Sequence, residues 1–251
     1  MNYTRWIEHF RKNRLNRPEP DWQAPVTMSA EKIAKMIPSL EQFELGDGGG
    51  PASLIAHDAE SFRGSSEEMR TIVDLWFTEE REHSRLLSGA VKRFGGRKIT
   101  GHWSFTAFCA SRRFLGVRFE LQVLLLTEIV STAYYRLLRR HADDVAVKEM
   151  CSLILRDETG HVSFHRDRLL SEGRSTAGFS GLFWELQFWL CGHGAATMLW
   201  ANHGPCLIPL GASTAEFYRE VRLEISRFVR RLERASVSCH VKAMPTLTPA
   251  T

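Results

Sequence analysis

Apolar positions along this chain recur every three or four residues, and period-two alternation is almost absent, so the pattern predicts an all-α protein. A helical register begins near Ser29, and Pro38 is expected to break or kink it. From Ser39 the run SLEQFELGD reads as the start of a longer helix, which Gly48 to Gly50 weaken and ASLIAHDAESF continues. Ser65-Ser66-Glu-Glu signals the N-terminus of a second helix reaching about Phe94, with Gly95-Gly96 as its stop. Residues 97 to 113 read as a connection with some local structure. A third helix covers FLGVRFELQVLLLTEIVSTAYYRLLRRH, whose basic end suits a helix C-terminus. A fourth runs from about Asp143-Asp144 to Gly173, a fifth and apolar one over roughly 180 to 200, and TAEFYREVRLEISRFVRRLERA forms a charged, amphipathic sixth. The organisation expected is a basic arm over 1–27, punctuated by Pro18, Pro20 and Pro25, then a helical domain over 28–235 and a disordered tail over 236–251.

Composition narrows the class. Of 251 residues 43% are hydrophobic and 25% charged, which suits one globular domain with a real core. The net charge is 33 − 29 = +4 without a Lys/Arg tract, so nucleic acid is not an expected partner. Five cysteines (Cys109, Cys151, Cys191, Cys206, Cys239) include no C-x-x-C pair, which points away from disulfides or structural zinc and toward a reducing, cytoplasmic setting. The N-terminus lacks the apolar core of a secretory signal. The most apolar stretch, Leu182 to Leu210, is broken by Glu185, Gln187, His193, Asn202, His203 and two prolines, so it reads as a buried helix plus loop, not a membrane span.

The chemistry-bearing pattern is a repeated one. A helical hairpin ending in an E-x-x-H helix occurs twice: Glu80 and His83 in WFTEEREHSRLL, Glu158 and His161 in LILRDETGHVSFH. Three-residue spacing puts an oxygen and a nitrogen ligand on one helix face, one turn apart. One E-x-x-H is a weak signal. Two of them, each preceded by a further carboxylate (Glu79 and Asp157), match the general pattern of ferritin-like two-metal bundles, in which two more helices each supply a carboxylate.

The third helix offers Glu128, set in the apolar run VLLLTEIVSTAYY, with Glu120 two turns earlier as a fallback. A buried carboxylate needs a partner, and a metal ion is one; a protonated side chain or an arginine pair is the plainer reading. The first helix offers Asp47, 33 positions before Glu80, with Glu44 one turn away on the same face. Spacing favours Asp47, because Glu158 follows Glu128 by 30. Metal-bound histidines usually give their second N–H to a carboxylate, so Asp157 is expected to support His83, and Glu79 to support His161; surface charge is the alternative for both. His165 is a further candidate ligand, and Tyr135, with Tyr134, could line a channel or simply pack in the core. His57 lies too far along the helix for ligation, and Trp76, Trp184, Trp189 and Trp200 read as core.

The segments FELGD, WFTEEREHSRLL, LTEIVSTAYYRLLRR and ILRDETGHVSFHRDRL resemble a bacterial family of ferritin-like proteins of poorly defined function. More distantly they are similar to soluble acyl-carrier-protein desaturases and the ribonucleotide reductase small subunit. The resemblance covers about residues 37 to 172. It implies a ferritin-like four-helix bundle with one long crossover plus additional C-terminal helices. It also implies a di-iron centre held by Glu80, His83, Glu128, Glu158 and His161, with the FELGD carboxylate as sixth ligand. The same ligands bind manganese, so a manganese or mixed centre belongs to the expectation. Here the sequence departs from the resemblance: the relatives carry Glu at the position of Asp47, one methylene longer, and three glycines follow it in this chain. Either the helix opens there to admit a ligand or the site is decaying.

The expected function is O2-dependent oxidation of an apolar or acyl-type substrate, small or carrier-bound, with an electron donor as partner and a homodimer as the assembly. The apolar helix after residue 180 motivates it, as a cover for a substrate pocket. The alternatives are a ferroxidase or metal-handling protein, and a non-catalytic bundle that binds a partner.

Overall fold

A computed structural model describes residues 1–15, 17–48, 66–112, 116–174 and 177–243. Among the described residues there are eight α-helices and no strands: α1 (Tyr3–Leu15), α2 (Ala30–Asp47), α3 (Glu67–Arg93), α4 (Trp103–Arg112), α5 (Gly116–His141), α6 (Val145–Ser171), α7 (Gly178–Leu210) and α8 (Thr214–Ala243). Side-chain caps at helix starts include Asn2 to Arg5 N, Ser29 to Lys32 N, Ser66 to Met69 N, Asp144 to Val147 N and Ser213 to Glu216 N. Asp144 also takes a buried ion pair from Arg93 at 2.9 Å, which ties the end of α3 to the start of α6.

The helix directions follow from cross-contacts. His83 meets Asp157, Glu79 meets His161 and Arg93 meets Asp144, so α3 and α6 run antiparallel in one register. The short turn 142–144 makes α5 antiparallel to α6 as well. Helices α3 and α5 are therefore parallel, and the segment between them must return the length of the bundle. It does so as a long crossover that carries α4. Helix α2 lies antiparallel to α3, through Ser84 Oγ donating to the Glu44 carbonyl and the Arg97 N–H donating to Glu41. Helices α7 and α8 pack on the far side, against α5 and each other.

One continuous core joins α2, α3, α5, α6, α7 and α8, with Leu125, Ile129, Ala133, Leu137, Met150, Ile154, Phe188 and Ile225 fully buried. Each such aliphatic side chain contributes ~1.5–3 kcal/mol of burial free energy, which accounts for two departures from the helix boundaries read in the sequence. Pro38 neither ends nor divides α2, and α7 continues through Pro205 and Pro209 to Leu210, where a loop was expected. In both places packing outweighs the hydrogen bond each proline removes.

The arm expected over 1–27 contains a helix. Trp6 and Phe10, four apart, bury against Ile72, Val73, Trp76, Leu121 and Phe164, and Lys12 and Arg14 close α1 at its negative end. At the other end, α8 does not stop at 235. Ser236 and Ser238 turn their hydroxyls back to the carbonyls of Glu233 and Arg234, and the helix continues to Ala243. The rest of the tail, the segment ASLIAHDAESF, His57 and Gly49–Gly50 lie outside the described residues. No described helix is long and apolar enough to cross a membrane. Helix α7 carries an exposed stripe of Phe179, Leu182, Phe183, Leu186 and Leu190.

Candidate metal centre

Helices α2, α3, α5 and α6 each aim carboxylates or imidazoles at one buried point. Asp47, Glu80 and His83 form one group whose ligand atoms all lie within 4.8 Å of one another; Glu80, Glu128 and His161 form a second. Glu80 belongs to both, with its oxygens 3.6 Å from His83 Nδ1 and 3.0 Å from His161 Nδ1. Glu158 also spans the two histidines, 3.8 Å from His83 Nδ1 and 3.6 Å from His161 Nδ1. Glu128 stands 3.5 Å from His161 Nδ1. Asp47 therefore flanks one imidazole and Glu128 the other, while Glu80 and Glu158 lie between them.

The far side of each imidazole is held reciprocally across α3 and α6. His83 Nε2 lies 3.1 Å from Asp157 Oδ2, and His161 Nε2 lies 3.0 Å from Glu79 Oε2. The residue before each E-x-x-H glutamate thus serves the histidine of the other helix, as the antiparallel register requires. Glu44 is buried but belongs to neither group; its carbonyl takes the Ser84 hydroxyl, and its Oε2 has no hydrogen-bond partner. Gly48, just after Asp47, sits where a Cβ would come within 2.9 Å of both the Glu44 carbonyl and Ser84 Oγ. A side chain there would crowd the Ser84 hydroxyl that donates to the Glu44 carbonyl. His165 stands edge-on to Trp76 at 4.9 Å with both ring nitrogens unpartnered, outside either group. Tyr135 donates to Asp47 Oδ2 at 3.2 Å, and Tyr134 stacks on Phe43 in the core. Glu120 is buried on α5, and neither group includes it.

Electrostatics follow from burial and crowding. Burial, then the charge of Glu80, raises the Asp47 carboxyl to about 8. Burial and Glu128 push Glu158 well above the usual range. Burial opposes the charged form of His83, yet Asp157 and Glu80 lift it well above its ordinary value. His161 behaves alike, with Glu128 and Glu80 outweighing burial. At Glu80 the two histidines overcome burial and hold the carboxyl low. His165, beside Arg168, is driven down by burial and that charge. Without a metal, then, the cluster draws protons onto carboxylates and imidazoles that ordinarily lack them near neutrality.

Those residues fit a pair of divalent cations. His83 Nδ1, His161 Nδ1 and Glu158 Oε2 are buried, face the cluster and have no hydrogen-bond partner, an arrangement that is costly unless something else satisfies them. Four carboxylates and two neutral imidazoles also balance the charge of two divalent ions. The mixed O/N donor set suits several divalent first-row metals.

Sequence reading missed the outer wall on the α1 side. Arg17 inserts its guanidinium between the two supporting carboxylates, pairing with Asp157 and lying 3.9 Å from Glu79. His9 and Phe10 cover α6 beside His161. Gly160 makes room: a Cβ there would lie 2.5 Å from His9 Nε2. A glycine inside E-T-G-H, costly in a helix, was the available signal. Trp76 was read as core and is buried, but its Nε1 also donates to Glu80 Oε1 at 2.9 Å.

On the opposite side, a cavity of about 220 Å³ opens against the cluster. Asp47, Glu80, Glu128 and Glu158 form one end, while Phe77, Phe105, Phe108, Leu124, Met198 and Leu199 supply apolar wall. Gln42, Asn202 and His203 add polar groups. Helix α7 contributes part of this wall. A scan against models of protein families and searches of curated proteins and of solved structures find no match to this chain.

Proposed function

We propose that this chain is a ferritin-like di-metal carboxylate oxidoreductase, with iron as the expected metal, that activates O2 beside an apolar substrate. The observation that carries the reading is the junction of the buried carboxylate–histidine cluster with a largely apolar cavity. A pair of cations would be held by Asp47 and His83 on one side, Glu128 and His161 on the other, and Glu80 and Glu158 between. Such a centre, when bound and reduced, supplies two-electron reduction of O2 and an oxidant able to attack C–H bonds.

The protein's own groups do the rest. Asp157 and Glu79 fix the rotation of the imidazoles and keep Nδ1 aimed inward. The aromatic wall excludes water and orients an apolar group toward the carboxylate end. At about 220 Å³ the cavity is smaller than sites for drug-sized ligands, roughly 300–1,000 Å³. It therefore suits a single ring or short acyl segment, free or presented on a carrier. An external electron donor completes the turnover, and a reducing cytoplasm suits the unpaired thiols of Cys151 and Cys206.

We also read the α7 stripe as a homodimer surface. Its five residues are 56–86% exposed and offer on the order of 650 Å² per protomer at ~200 Å² per large side chain. A standard interface takes ~800 Å² per partner. Sedimentation of Leu186→Glu against wild type tests it: a wild-type monomer refutes the dimer.

The test of the metal reading is anaerobic reconstitution with ferrous iron, followed by metal content per chain. Two irons per wild-type chain are expected, lost in the Glu128→Ala/His161→Ala double variant, with O2 uptake by the ferrous protein. Absence of stoichiometric metal overturns the proposal. Metal without O2 uptake leaves only a metal-binding bundle.

A further inference from the structure

A second cavity, about 400 Å³, lies between α1 and α3 on the Arg17 side of the cluster. Its floor is apolar, from Phe10 and Leu75, and its rim brings together Arg14, Arg17, Arg81 and Arg85. Only Glu79 and Glu82 oppose them among the lining residues. Glu79 gives Oε2 to His161 while its Oε1 is buried without a hydrogen-bond partner 3.9 Å from Arg17 Nη2, and Glu82 is engaged by Arg85, which also pairs with Glu19 at 2.7 Å. Arg81 spends one N–H on Thr78 Oγ1 at 2.8 Å, and Arg14 makes no ion pair among the described residues.

Arg17 is the decisive group. Its side chain is 10% exposed, one terminal nitrogen pairs with Asp157, and the other, Nη1, is buried without any hydrogen-bond partner. A buried, charged N–H left unpaired beside further cations is costly, and an acceptor with negative charge relieves it. Planar guanidinium forks converging from α1, its C-terminal extension and α3 are suited to oxygens of a tetrahedral anion. The cavity is far larger than such an anion alone, and its floor is apolar.

We propose that this cavity binds a phosphate monoester, with the phosphate on Arg14, Arg17 and Arg81 and its organic group on Phe10 and Leu75. The occupant would draw on the guanidinium that pairs with Asp157, so it would sit one residue removed from His83 without entering the metal cluster. This site does not depend on the di-metal reading, and its test needs no metal.

Titrate the full chain, as purified, with inorganic phosphate and with phenyl phosphate at constant ionic strength, using calorimetry and phosphorus NMR. Phenyl phosphate is expected to saturate one site per chain with a Kd of about 1 mM or tighter, more tightly than inorganic phosphate, and chloride is expected not to compete. Arg14→Ala and Arg81→Ala, both exposed side chains remote from the core, should each weaken binding about tenfold, the scale of one lost charge-assisted hydrogen bond, with unchanged circular dichroism. Absence of saturation overturns the proposal, as does binding that survives both substitutions. Tighter binding of inorganic phosphate than of phenyl phosphate removes the monoester assignment.

Discussion

Replacing Arg17 by methionine keeps most of the side chain's bulk and removes its charge. The partner left behind, Asp157, is fully buried, and Arg17 itself is only 10% exposed, so solvent screens the pair little. Removing one member of a buried ion pair costs ~3–5 kcal/mol. Asp157 keeps two other partners, His83 Nε2 at 3.1 Å and Arg156 Nε at 3.3 Å, although Arg156 is 38% exposed and correspondingly weak. The expected loss is therefore about 2–3 kcal/mol, below the full figure because His83 still holds the carboxylate. Urea unfolding measures it, as a lower midpoint at constant slope. Adding Asp157→Asn should recover at least ~1 kcal/mol, since the stranded charge goes with its partner, and the two substitutions should be non-additive. The sign with pH follows. Burial opposes ionisation of Asp157, but His83 and then Arg17 hold its carboxyl below the ordinary value. Its contribution is present above the unfolded value near 3.8 and is lost as pH falls through the folded value. Arg17→Met within ~0.5 kcal/mol of wild type, or strict additivity with Asp157→Asn, would refute the account of Arg17 as the counter-charge of this wall.

Two further outcomes are expected. Burial holds His203, bonded to Ser39 Oγ through Nδ1 at 2.8 Å, at about 3. The unfolded chain thus binds more protons between about 3 and 6.5, and stability should fall by about 2 kcal/mol from pH 7 to pH 5 on this account. In His203→Asn that slope should shrink, as urea midpoints across the range would reveal. Metal binding should release protons at pH 7, because Asp47, raised to about 8, and Glu158, raised well above its usual value, must give theirs up. Apparent affinity should therefore fall as pH falls, and calorimetry in buffers of different ionisation enthalpy counts the protons. Binding without proton release would contradict the protonated metal-free cluster.

The sequence was most informative where a helical period carried chemistry. The i, i+3 spacing puts Glu80 with His83 and Glu158 with His161 on one face of each helix, and the match to the two-metal bundle pattern, not spacing, joins the two faces. The same register explains why Asp157 and Glu79 fall opposite the partner helix's histidine. Asp47 stands in one group with Glu80 and His83, and Glu44 belongs to neither group. What could not be read came from contacts distant in sequence. Nothing near Arg17 indicates that its partner lies 140 positions later. The cationic excess of the arm reads equally well as solvated surface. Pro18, Pro20 and Pro25 give the segment the composition of an extended arm, whereas the Trp6/Phe10 pair marks α1. The cavity was anticipated only as a cover by the apolar helix after 180; its wall from α4 was not, since residues 97 to 113 have no clear period.

Arg17 closing over Asp157 also orders events in time. The arm leaves the ribosome well before its seat on α6, which lies 140 positions later in the chain. Contacts so far apart form late, after the local helix pairs have set. A nascent chain therefore passes through a stage in which the hairpins have met and the four-carboxylate pocket exists, while the wall beside Glu79 and Asp157 still stands open. In that stage the cluster is open on two sides, this one and the one that faces the cavity.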